Sequence, residues 1–102
     1  MFGKLGDMMG KLQEMKQKAE EIKESLGNTI IKSESAGGDI VIEINGMRTI
    51  QSLRIADALQ HGDKKELESH LLIALNKAIK EADKVNDAEM KKAASGLLPG
   101  IS

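Results

Sequence analysis

The first part of the chain has apolar residues at alternating spacings of three and four positions. This spacing is a heptad pattern held for about three repeats, which predicts a helix over residues 4–26. Gly27 and Asn28 both tolerate a left-handed backbone and mark the end of this helix. One helix cannot bury so narrow an apolar row by itself, so we expect the row to pack against another helix. Its members are Leu5, Met8, Leu12, Met15, Ala19, Ile22 and Leu26.

The middle of the chain changes to alternating β-branched residues. Three strands are predicted, over residues 29–35, 40–45 and 47–56, and Ile40, Ile42 and Ile44 share one face of the second. The first turn is predicted at residues 36–39, Ala-Gly-Gly-Asp. The pair Asn45-Gly46 is typical of a type I′ hairpin turn, which needs positive φ at both central positions. We therefore predict a three-stranded antiparallel meander whose apolar face the helices must cover.

A second helix is predicted over residues 63–95, after a short irregular link. Asp63, with Glu66 three residues later, matches a capping box. The wide apolar stripe that follows includes Leu71 and Leu75 and thins beyond Val85. Residues 96–102 predict a short tail. The predicted fold class is α+β, in the order helix, three strands, helix, within a single domain of 102 residues.

Both predicted helices are longer than the sheet can cover. A strand of seven or eight residues spans roughly 25 Å, whereas a helix of about 30 residues spans about 45 Å. The excess helix must project, and a projecting helix with an apolar row predicts a partner chain, most simply in a twofold homodimer. We assign core and dimer packing to Leu12, Met15, Ile22, Ile40, Ile42, Ile44, Leu71 and Leu75.

Composition excludes several classes of function. The chain has no cysteine, so it cannot form disulfides, a thiolate nucleophile or a cysteine-ligated metal site. Phe2 is the only aromatic residue, which disfavours single-strand binding by base stacking. No apolar run approaches the ~20 residues that span a bilayer, and the first residues lack the apolar stretch of a signal peptide. We therefore expect a soluble, cytosolic protein without membrane contact.

The remaining polar residues do not form a catalytic or metal site. His61 and His70 have no third ligand at metal-site spacing, and Ser33 has no nearby histidine. Glu34 and Glu43 could face each other across the first hairpin, but solvent-facing strand residues are the simpler interpretation. We predict that the protein is not an enzyme and needs no cofactor, metal or small-molecule substrate.

The charges balance along the chain but not around each helix. The formal net charge of −1 argues against a generic polyanion binder. In the first helix, however, lysines flank the apolar row and carboxylates line the opposite side, so a parallel coiled-coil dimer would set lysine against lysine. In the second helix, Lys77, Lys84 and Lys91 recur every seven residues, with Lys80 on the same side, opposite the apolar stripe. These rows are either ordinary solvated surface or lysines that contact DNA phosphates.

Three segments resemble the YbaB/EbfC family of nucleoid-associated proteins, in the same order. They are MFGKLGDMM at residues 1–9, GDIVIEING at residues 38–46 and SGLLPG at residues 95–100. The resemblance implies a bacterial homodimer with a tweezer-like outline, whose helices project from a central sheet. It also implies binding to duplex DNA, with roles in nucleoid organisation and gene regulation. Because the third strand has few basic residues, we do not expect the sheet to be the main DNA contact.

The leading hypothesis is a non-enzymatic homodimer that binds duplex DNA in the nucleoid. With only Arg48 and Arg54 as arginines, strong sequence selectivity is not expected. The alternative is a protein-interaction or chaperone-like adaptor that holds partner helices with its projecting amphipathic helices. The candidate phosphate contacts are Lys11, Lys18, Lys77, Lys80, Lys84 and Lys91.

Overall fold

The backbone follows the predicted order, with one additional short α-helix and a short 3-10 segment, Ala36–Gly38, in the first predicted turn. In the computed structural model, which describes residues 2–97 and the side chains of residues 6–95, helix α1 covers Phe2–Asn28 and α3 covers Lys64–Leu97. Strands β1 (Ile30–Ser35), β2 (Ile40–Asn45) and β3 (Ile50–Ile55) lie between them. The link that was predicted to be irregular contains helix α2, Asp57–Gln60. Residues 98–102 of the predicted tail lie outside the described residues.

The three strands form an antiparallel sheet in the order β1-β2-β3. The register places Ile42 opposite Ser33 on one side and opposite Leu53 on the other. A bulge at Glu43/Ile44 then shifts the pairing, so that Ile50 lies opposite Ile44. Because directly opposed residues share a face, Ile50 and Leu53 lie on the same face of the sheet as the isoleucines of β2.

The core lies between this face and helix α3. Ile40, Ile42 and Ile44 are buried against three alanines of α3, Ala74, Ala78 and Ala82. The small alanine side chains let the helix approach the sheet closely, and the half-buried Leu71 and Leu75 pack beside them. Helix α3 packs mainly against β1 and β2, and every residue of β3 except Ile55 is exposed. Helix α3 therefore covers the β1–β2 part of this face and leaves the β3 part exposed.

The β2–β3 hairpin forms where the sequence predicts it, but not with a type I′ turn. The left-handed residue is Arg48, with φ 65°, and neither Asn45 nor Gly46 has positive φ. The Arg48 amide donates to Asn45 O at 3.0 Å, and the Asn45 amide donates to Thr49 O at 2.9 Å. The loop is thus a turn followed by one left-handed residue, the usual three-residue hairpin loop. The Asn45 side chain fixes it, because Oδ1 accepts the amides of Met47 and Thr49, each at 2.9 Å.

The end of helix α1 is fastened to this hairpin. The Gly46 amide donates to Leu26 O at 2.9 Å, and Asn45 Nδ2 donates to Gly27 O at 3.3 Å. From the other side, Asn86 Nδ2 of α3 donates to Gly46 O at 2.9 Å. Leu26 is buried at this junction, and a Cβ on Gly46 would lie 2.7 Å from Leu26 Cδ2. Gly46 is therefore required by the close approach of α1 and not by the turn.

The apolar row of α1 packs within this chain only at its C-terminal end. Leu26 is buried and Ile22 half-buried, but Leu12 and Met15 are 63% and 45% exposed. Within one chain, Leu12 and Met15 therefore do not pack against another helix. The physical reason is that α1 lies beside α3 from the hairpin to the level of Lys18 and Lys92, and Leu12 and Met15 are nearer to the N-terminus of α1. As a dimer contact, the pair stays a prediction.

The molecule is elongated as a result. It measures 71 × 22 × 17 Å, with a radius of gyration of 19.9 Å. A compact chain of this length has a radius of gyration of about 13 Å. The long dimension comes from α1 and α3, since about 27 and 34 helical residues span roughly 40 and 51 Å, whereas strands of six residues span about 20 Å.

Candidate nucleic-acid interface

Three lysines of α3 lie together along one flank of the helix. Lys77, Lys80 and Lys84 are exposed and line a shallow depression together with Ile73, Asn76 and Glu81. Their spacing of three and then four residues places all three on the same flank, about 10 Å from first to last. We call these three residues the α3 lysine group. With one glutamate among three lysines, the group is locally basic although the chain is not.

The members of the α3 lysine group are not equivalent. Lys77 reaches the sheet, because its Nζ donates a hydrogen bond to Glu34 O of β1 and lies 4.0 Å from Glu81 Oε1. The sequence placed Lys77 opposite the apolar stripe of this helix. In the structure Lys77 instead lies at the edge of the buried stripe. Lys80 and Lys84 have no carboxylate oxygen within 4.0 Å among the described residues. These two ammonium groups are therefore the more available for a phosphate.

The other candidate lysines lie apart from this group. Lys91 is exposed and seven residues beyond Lys84, which puts it two turns further along the same flank. Lys18 of α1 lines a second depression with Glu21, Glu89 and Lys92, where two acids offset two lysines. Lys11 is exposed further toward the N-terminus of α1. The structure therefore does not bring the six candidates into one site.

Two basic residues take roles that the sequence did not indicate. Arg48, in the β2–β3 loop, forms an ion pair with Asp83 of α3. Arg48 has a left-handed backbone, for which the sequence offered no pattern. Lys92 lies beside Lys18 at the junction of the long helices, and the spacing of seven residues had selected Lys91 instead. Both roles depend on a contact with a residue of another helix or loop, which the spacing of residues within one helix does not indicate.

The residues weighed for other chemistry stay apart. Glu43 lies opposite Lys32 and Glu34 opposite Val41, so the two glutamates do not face each other across the hairpin, as had been considered. In residues 2–97, no group of three or more histidine, aspartate or glutamate side chains is arranged to hold a metal ion. No helix in that part of the chain is long and apolar enough to cross a membrane.

An exposed apolar surface lies beside the core, on the opposite flank of α3 from the lysine group. Leu72 and Ile79 are 64% and 39% exposed and share this flank with Asp83, whose partner Arg48 belongs to the β2–β3 loop. Ile50 and Leu53 of β3 are also exposed, on the face of the sheet that α3 leaves open. We call the four apolar residues, Ile50, Leu53, Leu72 and Ile79, the open apolar face.

Comparison with known proteins assigns the family. The model of the YbaB/EbfC DNA-binding family matches residues 1–97. The chain belongs to the YbaB/EbfC family. The match covers α1, the whole sheet and α3, so all surfaces described above lie within the family domain.

This YbaB/EbfC protein is similar to nucleoid-associated proteins of other organisms and to one solved structure. A nucleoid-associated protein of Pelotomaculum thermopropionicum is 33% identical over 103 residues, covering 99% of this chain and 98% of that protein. One from Hahella chejuensis is 33% identical over 95 residues, covering 93% and 88% of the two chains. Among solved structures, the uncharacterized protein HP0035 from Helicobacter pylori has a TM-score of 0.73 at 29% identity, covering 97% of this chain and 98% of that one. The helix–sheet–helix architecture is therefore shared along the whole length.

Proposed function

We propose that this protein is a homodimer that binds duplex DNA in the nucleoid with little sequence preference and catalyses no reaction. Membership of a DNA-binding family and the names of the relatives support the DNA-binding part. The observation that carries the proposal to particular residues is the α3 lysine group, in which three exposed lysines surround a single glutamate. Lysine contacts phosphate as a point charge, and such contacts give affinity without sequence information.

Low sequence preference follows from the residues that are missing from this surface. Base edges are read mainly by arginine, asparagine and glutamine in well-defined geometry. Arg48 is held by Asp83, and Arg54 lies near Asp39 and Asp57 at the far end of the sheet. In the depression that the α3 lysine group lines, Asn76 is the one side chain of this kind. Phosphate contacts should therefore dominate, and Lys11, Lys18 and Lys91 are the further candidates for them.

The homodimer is supported by the open apolar face. Its four side chains are exposed in the single chain, and clustered exposed apolar residues often mark protein–protein contact sites. In a twofold dimer, Leu53 and Leu72 of each copy could be covered by the same residues of the other, since such an interface is self-complementary. Because the α3 lysine group is on the opposite flank of the helix, this dimer would leave both groups free. Contact of both groups with one DNA duplex is part of this proposal.

Charge reversal on α3 tests the DNA-binding site. The variant Lys80→Glu/Lys84→Glu should lose most of its affinity for duplex DNA, measured by fluorescence anisotropy at two salt concentrations. Each lost phosphate contact should also reduce the slope of log affinity against log salt by about 0.9. The matched control, Lys64→Glu/Lys65→Glu, makes the same change in net charge at exposed lysines outside the group. If both variants lose affinity equally, or if wild-type binding is indifferent to salt, the proposed site is wrong.

A polar substitution on the open apolar face tests the dimer. Leu53→Asp removes an apolar side chain that is 48% exposed in the single chain, so the fold of one protomer should survive. We expect wild-type protein to sediment as a dimer and Leu53→Asp to sediment as a monomer with unchanged helical content. A wild-type monomer at micromolar concentration, or a dimer that Leu53→Asp leaves intact, would rule out this interface.

A further inference from the structure

A second apolar surface, on α1, is not explained by DNA binding or by the open apolar face. Met8 and Leu12 are 62% and 63% exposed, and Met15 is also exposed. They follow heptad spacing and lead directly to Ile22 and Leu26, which this chain does bury. We call Met8, Leu12, Met15 and Ala19 the α1 row. It is about 16 Å long and has no contact with the sheet to explain it.

Lysines border the α1 row on both sides. Lys11 and Lys18 lie along one edge, Lys16 and Lys23 along the other, and all four are exposed. None of the four has a carboxylate oxygen within 4.0 Å among the described residues. The carboxylates of α1, such as Glu14 and Glu21, point away from the row, and Glu21 instead accepts a bond from Gln17 at 3.5 Å. The row is thus an apolar strip with lysines along both edges, and at its C-terminal end Lys18 shares a depression with Glu21 and Glu89.

This charge pattern selects the occupant. Pairing of two α1 rows, parallel or antiparallel, would place lysines beside lysines along both edges, so a second copy of α1 is unfavourable. A row only two positions wide in each heptad matches the seam of a coiled coil, whereas a helix that lies on a membrane presents a wide apolar face. The complementary partner is a helix with its own narrow apolar seam and acidic edges. Methionines suit such a surface because their flexible side chains adapt to different partners.

We propose that the α1 row binds an amphipathic helix of another protein, whose apolar residues have heptad spacing and are bordered by Asp and Glu. The partner helix packs against Met8, Leu12 and Met15, and its carboxylates pair with the lysines on either edge. This interaction does not depend on DNA binding. It shares Lys11 and Lys18 with the candidate phosphate contacts, so its test is made without DNA.

The test measures binding of two designed peptides by fluorescence anisotropy. Both are about three heptads long with leucine at the seam, and they differ only in having glutamate or lysine along the edges. We expect the full-length protein to bind the glutamate peptide at least about tenfold more tightly than the lysine peptide. The variant Lys11→Glu/Lys18→Glu should shift the preference toward the lysine peptide, a reversal that simple loss of stability cannot produce.

A matched pair of variants locates the binding surface. Met8→Ser should weaken binding of the glutamate peptide by about tenfold. Met9→Ser is the control, since Met9 has nearly the same exposure, 63% against 62%, but lies off the row. Equal effects of the two variants, or equal binding of the two peptides, would overturn the proposal. So would dissociation of the dimer by Met8→Ser, which identifies a second copy as the occupant, or binding only to vesicles of anionic phospholipid, which identifies a membrane.

Discussion

Replacement of Gly46 by alanine should destabilise the protein through one contact between α1 and the hairpin. The backbone at Gly46 does not have positive φ, so alanine is permitted there by conformation alone. Its Cβ, however, would lie 2.7 Å from Leu26 Cδ2, 2.9 Å from Leu26 O and 3.1 Å from Leu26 Cβ. Carbon atoms in contact are normally about 3.5–4.0 Å apart, so the end of α1 must move by roughly 1 Å.

The cost of that movement follows from what surrounds Leu26. Its side chain is 1% exposed and has no open space to enter. Overpacking of a buried site typically costs about 1–3 kcal/mol. Movement of α1 also lengthens the bond from the Gly46 amide to Leu26 O, which is worth about 1 kcal/mol. We therefore expect Gly46→Ala to lower the free energy of unfolding by about 2–4 kcal/mol, or Tm by roughly 10–20 °C.

The assay is urea unfolding followed by far-UV circular dichroism, at one fixed protein concentration because the proposed dimerisation would contribute to apparent stability. Gly10→Ala is the matched control, since an alanine Cβ there has nothing within 4 Å, and it should raise stability by up to about 1 kcal/mol. Leu26→Ala removes Cδ2, the closest of the three atoms, and keeps Leu26 O and Cβ, so adding Gly46→Ala to it should cost less than in wild type but still more than zero. A change below about 0.5 kcal/mol for Gly46→Ala, or strict additivity with Leu26→Ala, would refute the contact as the cause.

Three further substitutions have expected effects on the same unfolding assay. Ser33 is buried, and its Oγ has no hydrogen-bond partner in the described structure. Ser33→Ala should therefore leave the free energy of unfolding unchanged or raise it by about 1 kcal/mol. A decrease of about 1 kcal/mol would mean that the hydroxyl group is hydrogen-bonded. Asn86→Ala leaves the Gly46 carbonyl without its buried donor and should cost about 1–3 kcal/mol; a neutral result would indicate that water replaces the amide. Arg48→Gly removes the strain of a φ of 65° and loses an ion pair with Asp83 that is half exposed. The free energy of unfolding should therefore rise by up to about 1 kcal/mol. A decrease would show that the ion pair contributes more than the backbone strain costs.

The strand pattern was predictable because its period belongs to the backbone. Alternation of Ile40, Ile42 and Ile44 assigns one face of β2 whatever the rest of the chain does. The same holds for the wide stripe of α3, whose alanines the structure buries against those isoleucines. Strands and helices with such regular patterns can be predicted without information on contacts between distant parts of the chain. Their boundaries therefore moved by only a few residues, most at β3, whose start gives way to the three-residue loop.

The features that were missed arise from contacts between distant segments. The Asn-Gly pair suggested a turn with positive φ, whereas Gly46 is needed because Leu26 lies against it, 20 positions earlier in the chain. The bulge that turns Ile50 toward the core face has no local pattern either. Likewise, periodicity placed Lys77 on an outer face, but the length of its side chain lets the Nζ reach Glu34 O of the sheet edge. The periodicity of a sequence describes a single helix or strand. The positions of these residues depend on contacts between two such elements.

The near-neutral charge of the chain has a consequence for how it would meet DNA. The α3 lysine group is about 10 Å long, which equals the Debye length at roughly 0.1 M salt. From further away, DNA encounters a protein with 15 basic and 16 acidic residues and is barely attracted. Only at contact does it meet three lysines and one glutamate. Steering would therefore add little to the association rate, and binding at the proposed site would depend on short-range phosphate contacts, made by two copies of the group if the proposed dimer forms. A monomeric variant should bind DNA much more weakly than the dimer, even though every lysine of each protomer is unchanged.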